Sequence, residues 1–128
     1  MKRTKTEQKH WEESSELMND VKNDRLEFVK ETIESGFDVN TIFLGLSALD
    51  WAASNGNLKI VKYLVSKNAN VNVKAEDIDD RTPLHSAVTS GHFAIVKFLL
   101  RVSVDKRIPI KKRGKLNFLL IYPILIFL

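Results

Sequence analysis

No cysteine occurs among the 128 residues. A disulfide framework, a thiolate metal site and a cysteine nucleophile are therefore excluded together. Proline and glycine are sparse, at three and five residues, which argues against a Pro/Gly-rich filament and against disorder along the whole chain. Long apolar runs are also missing. The longest, LNFLLIYPILIFL at 116–128, would reach roughly 20 Å as a helix against about 30 Å of hydrocarbon, and Pro123 would interrupt it. The opening MKRTKTEQKH has no apolar stretch of the secretory kind, so the chain is expected in the cytoplasm. What is present, 44% apolar and 28% charged residues, is the make-up of one globular domain.

The net charge of +4 is unevenly placed. Residues 1–100 hold 13 Lys/Arg and 15 Asp/Glu, whereas residues 101–128 hold seven Lys/Arg and only Asp105 as an acid. The body is thus mildly acidic, and the basic excess lies in the last fifth. A basic surface for nucleic acid is not expected on the body.

Self-similarity organises the middle of the chain. GNLKIVKYLV (56–65) lies over GHFAIVKFLL (91–100) at an offset of 35, and DRLEFVKETI (24–33) lies over the former at an offset of 32. Three copies near 33 residues predict a solenoid, because no single helix pair buries its own apolar face. In the third copy Thr82 caps a helix with Pro83 in its first turn and Leu84, Ala87 and Val88 on one face, and Gly91 ends it. A second helix from His92 to about Arg101 sets Phe93, Val96 and Leu100 on one stripe beside Ile95 and Leu99. The second copy repeats the scheme with Ser47 as cap, Leu49, Ala52 and Ala53 inside and Gly56 as stop. Leu58, Ile60, Val61, Leu64 and Val65 follow.

Thr82-Pro83-Leu84-His85-Ser86-Ala87 matches the T-P-L-H-x-A signature of ankyrin repeats at every fixed position. Residues 49–56 resemble the same helix with Asp50 in place of His, and Asp38-Val39-Asn40 and Asn70-Val71-Asn72 resemble the segment that closes each repeat. The resemblance covers about residues 15–105. It implies an all-α solenoid of helix-turn-helix units with short finger loops, repeats at 15–44, 45–79 and 80–107, a charged lead at 1–14 and a basic, then apolar, tail at 108–128. In the first copy Asp20 replaces an Ala, and Lys30, Glu31 and Glu34 charge the second helix. Both a polar capping repeat and a degenerate internal repeat fit that pattern.

Ankyrin-like proteins are binding modules, so the resemblance implies a protein partner held by fingers and first helices. Carried over residue by residue, it selects Phe43, Leu44 and Leu46 in finger one and Ser54 and Asn55 on a first helix. It further selects Ile78, Asp79 and Arg81 in finger two and Thr89 and Ser90 on the third repeat. His85 is implied to bond between repeats. The acids at 76, 77, 79 and 80 lack the glycine of an EF-hand turn, and His85 and His92 are split by Gly91, so no metal and no cofactor is expected. With no G-x-S-x-G, phosphate-binding glycine loop or H-E-x-x-H present, the expectation is a monomeric non-enzyme that serves as scaffold or adaptor.

The tail leaves alternatives open. Residues 116–128 could fold back over the third repeat, whose end lacks a polar cap. Residues 111–128 could instead rest in an anionic membrane interface, making the chain a peripheral tether. Finally, Val102-Ser103, encodable by an intron-start consensus, falls where the repeat is lost. A retained intron in the gene of a longer ankyrin protein would account for that coincidence.

Overall fold

The computed structural model describes residues 3–76 and 80–105. Along that stretch run helix α1 (Lys5–Lys22), α2 (Leu26–Glu34), the strands β1 (Ile42–Phe43) and β2 (Leu46–Ser47), then α3 (Ala48–Asn55), α4 (Leu58–Ser66), α5 (Pro83–Thr89) and α6 (Phe93–Asp105). Each repeat is one packed helix pair: α1 with α2, α3 with α4, α5 with α6. The first helices α1, α3 and α5 pack in one row, and α2, α4 and α6 in a second. The fold is an all-α repeat stack, with one two-stranded hairpin as finger one.

Local chemistry starts and stops these helices. Ser47 and Thr82 accept hydrogen bonds from the backbone N–H groups of Asp50 and His85, and those side chains answer to the cap backbone. Two of the four orphan donors of a helix start are satisfied this way. Gly56, at φ +80°, ends α3 in the left-handed region that an L side chain resists.

Small side chains let the rows close. Ala48, Ala52, Ala53 and Ala87 are wholly buried in the first-helix row. In the second row Ile60, Leu64, Ile95 and Leu99 are buried between repeats, each worth about 1.5–3 kcal/mol relative to exposure. Polar links stitch the same seams. Asn57 Nδ2 donates to the Val21 carbonyl, His92 Nε2 lies 3.1 Å from the Ser54 carbonyl, and Asn40 Oδ1 accepts the Asn70 N–H at 2.7 Å.

Four expectations need correction. The boundary at residue 14 falls inside α1, which begins at a complete capping box of Thr4 and Glu7; the charges of the lead sit on exposed faces of a helix. Phe93 is 44% exposed rather than part of the apolar stripe, because it opens α6 at the register of half-buried Leu26 and Leu58. The second helix of repeat three continues past Arg101 to Asp105, where α4 at the equivalent point has already ended. His85 bonds within its own repeat, Nδ1 to Thr82 Oγ1 at 2.8 Å, and His92 makes the bond between repeats.

Two glycines separate backbone strain from stacking. A Cβ at Gly91, φ +75°, meets open space, whereas one at Gly56 would lie 2.7 Å from the His92 ring. Gly91→Ala should cost about 1 kcal/mol, the left-handed penalty alone. Gly56→Ala should cost about 2 kcal/mol or more, because the imidazole must leave. Urea midpoints of the two variants check this, and equal losses would show that the His92 seam contributes nothing.

Tyr63 gives a pH signature. Burial, then the charge of Glu34 and its hydrogen bond, hold the phenol above the ordinary tyrosine value. Below the ordinary value the group is neutral in folded and unfolded chains, and its stabilisation is complete. As pH climbs through the raised value that stabilisation is lost, because the unfolded chain releases its proton first. In a Tyr122→Phe background, Glu34→Gln should bring the phenolate transition of Tyr63 down in ultraviolet titration.

Candidate partner-binding surface

Finger one is a hairpin with register Ile42↔Ser47 and Phe43↔Leu46, closed by Leu44 and Gly45. Both turn residues have positive φ, +52° and +80°. That geometry matches the right-handed twist of the strands and belongs by preference to Asn-Gly or Asp-Gly. Leucine is unusual there, and its side chain is 72% exposed. The turn is braced from finger two by the Glu76 N–H, which donates to the Gly45 carbonyl at 2.9 Å.

The base of the hairpin is fixed by α1. The Trp11 ring lies 5.4 Å from that of Phe43, tilted by 58°, and His10 stacks on Phe37 at 5.4 Å. The Arg3 guanidinium sits 4.9 Å above Trp11. Arg3, Thr6, Glu7, His10 and Trp11 line an open groove of about 520 Å³ beside these rings. Sequence reasoning missed Trp11 because it fell in the supposed lead. Its signal was the helical spacing of Trp11, Ser14, Leu17/Met18 and Val21, the last four of which are buried.

The described contact candidates fall in two groups. Phe43 and Leu46 are half-buried and Leu44 exposed, all in the hairpin before α3. Ser54 and Asn55 are exposed at the other end of α3, roughly 10 Å along its axis at 1.5 Å per residue. Asn55 Nδ2 donates to the Trp51 carbonyl at 2.7 Å, and the Ser54 carbonyl is taken by His92. Thr89 and Ser90 are exposed at the matching end of α5, which packs on α3. Arg81 is exposed at the return of finger two, where its carbonyl accepts the Ala75 N–H at 2.7 Å. Ile78 and Asp79 lie outside the described residues, as does the tail at 108–128.

Trp51 is half-buried with its indole Nε1 enclosed and unpartnered among the described residues. No described helix is long and apolar enough to cross a membrane. Nor do three His, Asp or Glu side chains converge on a point where a metal could sit among the described residues.

Comparison with known proteins supplies the family and one correction. The chain is 36% identical over 99 residues to a putative palmitoyltransferase ZDHHC13 of Danio rerio, a match covering 75% of this chain and 15% of that protein. It is 40% identical over 77 residues to the Homo sapiens palmitoyltransferase ZDHHC13, covering 59% and 12%. To the Drosophila melanogaster palmitoyltransferase Hip14 it is 38% identical over 85 residues, covering 62% and 13%. The chain thus spans less than a sixth of the length of these relatives. Their names overturn the expectation of a non-enzyme, which rested on missing motifs and did not reckon with a repeat region carried by an enzyme. The family model for ankyrin repeats, three copies, matches residues 17–110. Repeats of this kind support a protein-interaction module, and the chain belongs to the ankyrin-repeat family.

Proposed function

We propose that this chain is the protein-recognition portion of a longer, palmitoyltransferase-type protein, and that it holds the protein presented for acyl transfer. The names of the relatives and the small share of each that is matched support the larger assembly. In this reading the repeats work in the cytoplasm as a monomeric adaptor. The recognition unit includes all of α1, since that helix braces finger one.

The observation that carries the reading is Leu44. Its left-handed backbone costs about 1–2 kcal/mol, and its apolar side chain gains little from folding while 72% exposed. A residue unfavourable on both counts belongs to a contact made with something else. Phe43 and Leu46 set its base. Ser54, Asn55, Thr89 and Ser90 supply hydrogen-bonding groups at the helix ends, and exposed Arg81 continues the surface at the return of finger two.

Leu44→Asn separates recognition from stability. The turn prefers asparagine, so the thermal midpoint should rise by a few degrees, on the order of 1 kcal/mol. Partner capture by the full chain should fall roughly tenfold or more, the scale of a lost anchor. Phe43→Ala should weaken capture further while far-UV helicity is retained. Capture undiminished by Leu44→Asn would contradict this surface.

A further inference from the structure

The outer row of helices changes charge along the stack. The offsets of 32 and 35 residues align Glu27, Lys30 and Glu34 of α2 with Lys59, Lys62 and Ser66 of α4 and with Ala94, Lys97 and Arg101 of α6. Spaced three and four apart, these positions form one stripe along each helix. In repeat one the stripe is mixed, and Lys30 pairs with Glu27 at 3.6 Å. In repeats two and three it is basic, since neither α4 nor α6 holds an acid before Asp105, the last residue of α6. Lys59, Lys62, Lys97 and Arg101 are all exposed, as is Lys67 at the end of α4. Lys59, Lys62, Lys67 and Arg101 form no ion pair among the described residues. The Lys62 ammonium lies 5.8 Å from the centroid of the Phe98 ring, across the seam from α4 to α6. The two stripes thus make one continuous surface. Phe93, 44% exposed, stands on it one turn before Lys97.

We propose that this basic face, on α4 and α6, rests on an anionic lipid leaflet. Acidic headgroups complement cations gathered on one side of a body that is otherwise mildly acidic. Each Lys or Arg held near such a surface raises partitioning about fivefold. An exposed aromatic ring among the cations suits the boundary between headgroups and acyl chains, whereas a phosphate backbone offers Phe93 nothing apolar to meet. The choice of lipid over nucleic acid also rests on the acyl-transfer reading above, because a palmitoyl chain is itself drawn into bilayers by every CH2 it buries. The exposed side of the second row faces away from α3 and α5, against which its apolar side chains pack. Finger one and the first-helix ends therefore stay open to a protein while the outer face lies on lipid.

Sedimentation of the full chain with vesicles of phosphatidylserine and phosphatidylcholine tests the contact. Lys59→Glu with Lys62→Glu should lower the partition coefficient at least about 25-fold, fivefold for each cation. A control pair of equal charge change, Lys5→Glu with Lys74→Glu, should lower it no more than about twofold, since those sites lie off this face. The chain has no cysteine, so a polarity-sensitive dye on Phe93→Cys reports on that position alone. Its emission should shift to the blue with the mixed vesicles and not with phosphatidylcholine alone. Equal losses from the two pairs would mean attraction by net charge, and undiminished binding would mean that another part of the chain meets the lipid; either result overturns the proposal. So would a duplex oligonucleotide that binds through Lys59 and Lys62 where vesicles do not. Leu44→Asn should leave vesicle binding unchanged, and the Lys59/Lys62 pair should leave partner capture unchanged, so this contact and the finger-one surface fail separately.

Discussion

The closeness of the first-helix row is the constraint on which everything else rests. Ala48, Ala52, Ala53 and Ala87 have no accessible surface, and a larger side chain at any of them would push α3 away from α1 or α5. Only at that separation do the polar stitches reach their carbonyls, Asn57 to Val21 and His92 to Ser54. Stacking gives the fold its stability by nearest-neighbour addition, since no repeat here buries its apolar face alone. The direction of the stack follows from the same residues, with carboxylates at the Ala positions of the first repeat.

A rigid row also explains how an unfavourable hairpin persists. Finger one is held at its base by Trp11 against Phe43 and at its turn by the backbone of Glu76. These contacts over-determine the turn, so Leu44 stays left-handed with its side chain outward. Ser54 and Asn55 close α3 at its far end, and Thr89 and Ser90 close α5. A partner that met both groups would lie along the helix row, in contact with groups already ordered before binding. Preorganisation of this kind reduces the entropy lost on association.

Most of the architecture was legible because it is local. Ser47, Thr82 and Gly56 declare helix ends through their own side chains or lack of one, and the apolar spacing of 58–65 and 93–100 declares the buried faces. What escaped depended on neighbours. The charged start of α1 resembled a solvated lead, although Thr4 and Glu7 carried the capping-box spacing. Phe93 has the right spacing for its stripe, but its position at the helix start leaves it without cover. His85 and His92 are interchangeable in composition; only the stack reveals that His92 crosses the seam against Gly56. The candidate surface was legible as a set of residues and not as two groups, because the length of α3 sets their separation.

The central claim is that fingers and first-helix ends, not the outer second helices, meet the partner. Nitrogen-labelled full-length chain, titrated with a captured partner and followed by backbone amide shifts, tests it most directly. The account predicts that the largest shifts fall at Leu44, Asn55 and Thr89, with Lys59, Lys62 and Arg101 on the second helices unmoved. Shifts concentrated on Lys59, Lys62 and Arg101, with Leu44 unmoved, would contradict it.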